Sequence, residues 1–120
     1  MARSAPQYRS REGLGVVKRG EVWLTRLDPT EGSEIQKTRP CLIVSPDRLS
    51  HHDIFIVAPL SSGDRAARFR VEVVFQGRRG RVLPDQIRTV ARSRLIRRLD
   101  RLEDHYVAEV LGILRLMFED

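Results

Sequence analysis

Apolar positions along this chain recur mainly with a period of two. From Val16, the stretch VVKRGEVWLTRL alternates apolar and polar residues through Val22 and Leu24 and is rich in β-branched and aromatic side chains, as a strand resting one face on a core requires. Asp28-Pro29-Thr30-Glu31-Gly32-Ser33 reads as a turn or loop. Pro40-Cys41-Leu42-Ile43-Val44-Ser45 is a continuous apolar run of strand length, which suits a strand buried on both faces. Pro46-Asp47 ends it, and Asp47 through His51 reads as one short helical turn. Ile54 to Ala58 is a second buried strand, ended by Pro59, and Ser61-Ser62-Gly63-Asp64 is loop text. In RFRVEVVF, Phe69, Val71 and Val73 share one face and Arg68, Arg70 and Glu72 the other, the pattern of a half-buried strand. Gln76 to Gly80 reads as a turn, Arg81-Val82-Leu83 as a further strand, and Pro84-Asp85-Gln86 as a break before a strand over Ile87 to Val90.

The period changes at the end. Apolar residues at 106, 107, 110, 111, 113, 114, 117 and 118 have helix spacing and give one wide apolar face. Asp100 and Glu103 resemble a capping box with Asp in the Ser/Thr place. Strands dominate, turns are closely spaced and one helix closes the chain. The expected fold is therefore mainly β: a small, partly open antiparallel barrel with a C-terminal α-helix. Residues 1–15 lack periodicity and are expected to form a flexible basic arm, with residues 16–120 as one domain.

Composition adds a polyanion to the picture. The 120 residues carry a net charge of +6, with 41% hydrophobic residues, enough for one modest core. Residues 78–101 hold nine arginines against Asp85 and Asp100, and residues 102–120 hold five acids against Arg115. A basic block beside an acidic segment suits a nucleic-acid partner, although an arginine-rich genome writes the same text. No apolar run has membrane-helix length and the N-terminal text has no apolar signal core, so a cytoplasmic location is expected, with no membrane contact. Cys41 is the only cysteine and reads as a buried strand thiol.

Candidate chemistry begins with what is missing. His51 and His52 are adjacent, His105 is far away on the last helix, and no metal-ligand spacing or Gly-rich phosphate loop is legible, so neither metal nor cofactor is expected. What remains is polar residues bunched at strand ends: Glu34, Lys37 and Arg39 before the first buried strand; Ser61, Ser62 and Asp64 after the second; Asp85, Gln86 and Arg88 further on. Paired strands would gather these loops at one end of a barrel, where sites commonly form. Ordinary solvated loops are the competing interpretation.

Ordered motifs tilt that balance. Gly20-Glu21-Val22-Trp23, Asp28-Pro29, Gly32-Ser33-Glu34 and Arg39-Pro40, followed by Val57-Ala58-Pro59-Leu60-Ser61-Ser62-Gly63 and Gly80 through Thr89 (GRVLPDQIRT), resemble the MazF/PemK toxins over about residues 17–118, nearest in pattern to the PemK/Kid branch. The resemblance implies an SH3-like barrel of the MazF/Kid/CcdB kind, a homodimer, and the toxin of a type II toxin–antitoxin system. It implies sequence-specific, metal-independent cleavage of single-stranded RNA, restrained by an acidic MazE-like antitoxin. Arg39 matches the family's active-site arginine, suited to transition-state stabilisation. Ser61 matches its catalytic threonine, and Asp85 the acid proposed as base, with a structural acid that pairs with Arg88 or caps the turn as the alternative. Glu34, Ser62, Gln86 and Arg88 are expected to line the substrate site, and Arg65, Arg68, Arg78 and Arg79 to be available to phosphates. Two departures stand out: Leu83 replaces an arginine assigned to proton donation, and Ser33 replaces a histidine. They keep open a non-catalytic toxin or binding module on the same fold, gyrase-binding or RNA-binding.

Overall fold

The computed structural model describes residues 15–27, 37–63 and 69–119. Alternation does form strands: β1 (Glu21–Arg26), β2 (Thr38–Ile43), β3 (Ile54–Ser61), β4 (Val71–Phe75), β5 (Arg78–Val82), β6 (Arg88–Ala91) and β7 (Leu95–Arg101), with helix α1 (Asp104–Met117) at the end. Short 3-10 turns span Asp47–His52, Pro84–Gln86 and Arg92–Arg94. The sheet runs β4-β5-β3-β2-β1-β7, with β6 pairing the outer half of β3. All its pairs are antiparallel, with Trp23 opposite Cys41 and Cys41 opposite Pro59.

The continuous apolar run in β2 is explained by burial on both faces. Leu42 points into a cluster with Val22, Ala58, Leu60, Val71 and Val82, which α1 covers through Val107 and Val110 and its lead-in residue Leu102. Cys41 and Ile43 point the other way, into a cluster with Trp23, Leu27, Phe55, Val57, Val90 and Leu95. That second cluster fills the inside of a curl formed by β7, β1, β2, β3 and β6 in succession. The turn Arg92–Arg94 links β6 to β7 without a ladder between them, so the curl is a partly open barrel. The expected mainly β barrel with a closing helix is the observed architecture.

The Gly-Glu-Val-Trp motif locks the entrance to β1. Gly20 has φ +95°, which calls for glycine, and the Arg101 guanidinium packs 2.9 Å from where a Cβ would lie, a contact that flexible side chain could relieve. The nearly buried Glu21 accepts from Lys18 N and from Trp23 Nε1, each at 3.0 Å, and pairs with Arg98 at 3.2 Å. Its carboxylate is a structural hub.

Four expectations are corrected. Strand β7 lies where only a basic block had been legible; bulges against β1 at Val22/Trp23 and Leu24/Thr25 interrupt its alternation. Pro59 does not end β3, which continues to Ser61. Its carbonyl accepts from Leu83 N at 2.9 Å, and its missing N–H falls where β3 changes partner from β6 to β5, so no ladder bond is lost. The turn after β4 is confined to Gln76 and Gly77, both at positive φ, and Arg78 already belongs to β5. The capping box does not form: Asp100 lies within β7 and accepts from Arg101 N, while Glu103 is the N-cap and makes no side-chain cap bond. Asp104, in the first turn of α1, supplies the favourable charge there and pairs with Arg101.

Candidate active site

Arg39 is the second residue of β2 and lies opposite the fully buried Thr25 of β1. The β2–β3 register pairs Cys41 with Pro59 and Ile43 with Val57. Continued two residues outward, it brings Arg39 level with Ser61, the last residue of β3. Strand side chains alternate, so Arg39 shares a side with Cys41, and Ser61 shares one with Val57 and Phe55. Those residues line the barrel interior, which places Arg39 and Ser61 at its mouth. Arg39 is exposed and Ser61 half-buried. Among the described residues, no hydrogen bond or ion pair engages the Arg39 guanidinium.

Arg88 joins the same rim. It pairs with Val57, and its Nη1 donates to Leu27 O at 2.8 Å. Gly80 makes room for the end of β3, since a Cβ there would meet Ser61 O at 3.2 Å. Ser62 follows in an exposed bend. Beneath the rim, burial pushes the Cys41 thiol up to about 12, opposed by a hydrogen bond from Thr25 and by the charge of Arg88. A thiol so placed is an inert part of the interior.

Asp85 and Gln86 stand on the turn Pro84–Gln86. The structural alternative for Asp85 needs a new partner. Arg88 is committed to Leu27, and Asp85 is instead gripped by Arg70, with Nε to Oδ1 at 2.9 Å and Nη2 to Oδ2 at 3.1 Å. Leu83 is fully buried. Glu34, Ser33, Arg65 and Arg68 lie outside the described residues, as does nearly all of the N-terminal arm. Among the described residues, no group of three His, Cys, Asp or Glu side chains is arranged to hold a metal ion. No helix there is long and apolar enough to cross a membrane.

The barrel rim thus carries an arginine and a hydroxyl, and Asp85 stands on the turn that follows β5. Residues 18–118 match the family model described as PemK-like, MazF-like toxin of type II toxin–antitoxin system. The chain belongs to this toxin family. It is 42% identical over 105 residues to the endoribonuclease PemK of Escherichia coli, covering 82% of this chain and 79% of that protein. It is 29% identical over 113 residues to the endoribonuclease MazF9 of Mycobacterium tuberculosis, covering 84% and 95%. Among solved structures, MazF of Deinococcus radiodurans superposes with a TM-score of 0.77 at 28% identity, over 85% of this chain and 96% of that one. A MazE–MazF complex from the same organism gives 0.70 at 25% identity, over 88% and 98%.

Within this PemK/MazF-like chain, the register sets Arg39 level with Ser61, and Arg88 lies opposite Val57 of the same strand β3. The engagement of Asp85 by Arg70 was not legible. Arg70 reads as one polar position on a half-buried strand, and nothing in the text couples it to an acid fifteen residues later.

Proposed function

We propose that the chain is the toxin of a type II toxin–antitoxin pair and a metal-independent endoribonuclease that cuts single-stranded RNA, including mRNA, at a short sequence. The observation that carries this is the placement of Arg39 level with Ser61 at the barrel mouth, in a chain whose relatives bear the name endoribonuclease. Asp85 accepts the proton of the ribose 2′-hydroxyl. O2′ bonds to phosphorus, and the P–O5′ bond breaks. Arg39 stabilises the charge on the non-bridging oxygens, Ser61 donates a hydrogen bond to one of them, and O5′ takes a proton from Arg39 or from solvent. The ends are a 2′,3′-cyclic phosphate and a 5′-hydroxyl, and DNA survives because it lacks the attacking group. Glu34, Ser62, Gln86 and Arg88 contact the RNA around the scissile phosphate.

The working form is a cytoplasmic homodimer, needing no cofactor and restrained by an acidic MazE-like antitoxin whose charge complements the net +6 of this chain. The test is incubation of the purified chain with long single-stranded RNA in excess EDTA. Cleavage by the wild type and its loss in Arg39→Ala are expected; RNA left intact by folded wild type refutes the reading. The buried Leu83, in the place of a proton donor, favours one rival, a toxin that binds its target without cutting RNA. Growth arrest with cellular RNA intact is the signature of that rival.

A further inference from the structure

Asp85 stands on a three-residue turn with its side chain 37% exposed, so packing alone does little to fix its torsions. The restraint comes from another element. Arg70, directly before β4, is only 15% exposed and meets both Asp85 oxygens, at 2.9 and 3.1 Å. Two parallel bonds between planar groups set the plane of the carboxylate as well as its distance. Each oxygen retains lone-pair capacity beyond the pair, so the anion can still accept a proton from a third group. The β4–β5 ladder, which pairs Val71 with Val82, fixes the spacing of the segments that carry the two residues. Leu83, between β5 and the turn, is buried and offers Asp85 no cation.

We propose that Arg70 is a positioning residue of the cleavage site: its bidentate grip aims the Asp85 carboxylate at the 2′-hydroxyl. This rests on the reading of Asp85 as the proton acceptor. A pair whose carboxylate is 37% exposed contributes modestly to stability, and a purely structural role would change the folded fraction rather than the turnover of each folded molecule. Arg70 acts through Asp85, so its effect belongs to kcat, not to RNA affinity.

The test is a double-mutant cycle on the full chain, with initial rates of cleavage of a short single-stranded RNA carrying a mapped site, in EDTA. Arg70→Met is expected to lower kcat by about tenfold to a hundredfold with KM within about twofold, since small misplacements of a reacting group cost that much. In the Asp85→Asn background the same change is expected to alter kcat by less than about twofold, because the group it positions is gone. Arg70→Lys keeps the charge but not the fork, and is expected to recover only part of the rate. Should Arg70→Met fail to fold, Arg70→Lys carries the same comparison in both backgrounds. An equal loss in both backgrounds, a rise in KM alone, unchanged kinetics, or wild-type cleavage by Asp85→Asn overturns the proposal. RNA left intact by the wild type refutes the ribonuclease reading itself, and the proposal with it, whereas wild-type cleavage with an indifferent Arg70 refutes only the positioning role.

Discussion

Parity puts Arg39 and Ser61 on the same rim. Each lies an even number of residues from a side chain inside the barrel, Cys41 for one and Val57 for the other. That much was legible, because the apolar runs that precede or follow them announce their strands. The expected loss for Arg39→Ala is about a hundredfold to a thousandfold in kcat/KM, the usual cost of removing a transition-state donor, read from cleavage rates. Ser61→Ala removes one neutral hydrogen bond and is expected to cost about tenfold. Cys41 gives a test of the interior. Its thiol is raised from 9.0 to about 12 by burial, so the unfolded chain loses that proton first. The contribution of this group to stability is intact below pH 9.0 and falls as pH rises toward about 12. Denaturant midpoints across that range are expected to fall less steeply in Cys41→Ala than in the wild type.

Elements were legible where one rule acted alone. β2 and α1 follow directly from a continuous apolar run and a helical stripe. β7 was hidden because its arginines serve separate neighbours, Arg98 on Glu21 and Arg101 on Asp104, while bulges break its period. Pro59 misled because a proline inside a strand is tolerated where no ladder bond needs its N–H, here at a change of partner, which is a tertiary fact. The layering makes two predictions. Leu102→Ala empties a fully buried site under α1 and is expected to destabilise the fold by about 2–5 kcal/mol. The cleavage rate per folded molecule is expected to stay unchanged, because that cluster lies across the sheet from the barrel mouth. Gly20→Ala forces an alanine to positive φ against Arg101 and is expected to cost at least about 1–2 kcal/mol in thermal melts.

At the scale of the molecule, the basic block is less available than its charge implies. Arg88 bonds a backbone carbonyl, and Arg81, Arg92, Arg98 and Arg101 pair with carboxylates. Arg78 and Arg79, exposed on β5, are among the residues left to meet phosphates. Arg79→Ala is expected to lower the slope of log affinity against log salt by about 0.7 with kcat unchanged. RNA-end analysis after cleavage in excess EDTA tests the central claim most directly. The Arg39–Ser61 mouth with Asp85 as base predicts 2′,3′-cyclic phosphate and 5′-hydroxyl ends, and no cleavage when the nucleotide 5′ of the mapped bond is 2′-deoxy. Cleavage of that deoxy-substituted RNA, or 5′-phosphate ends, would contradict it.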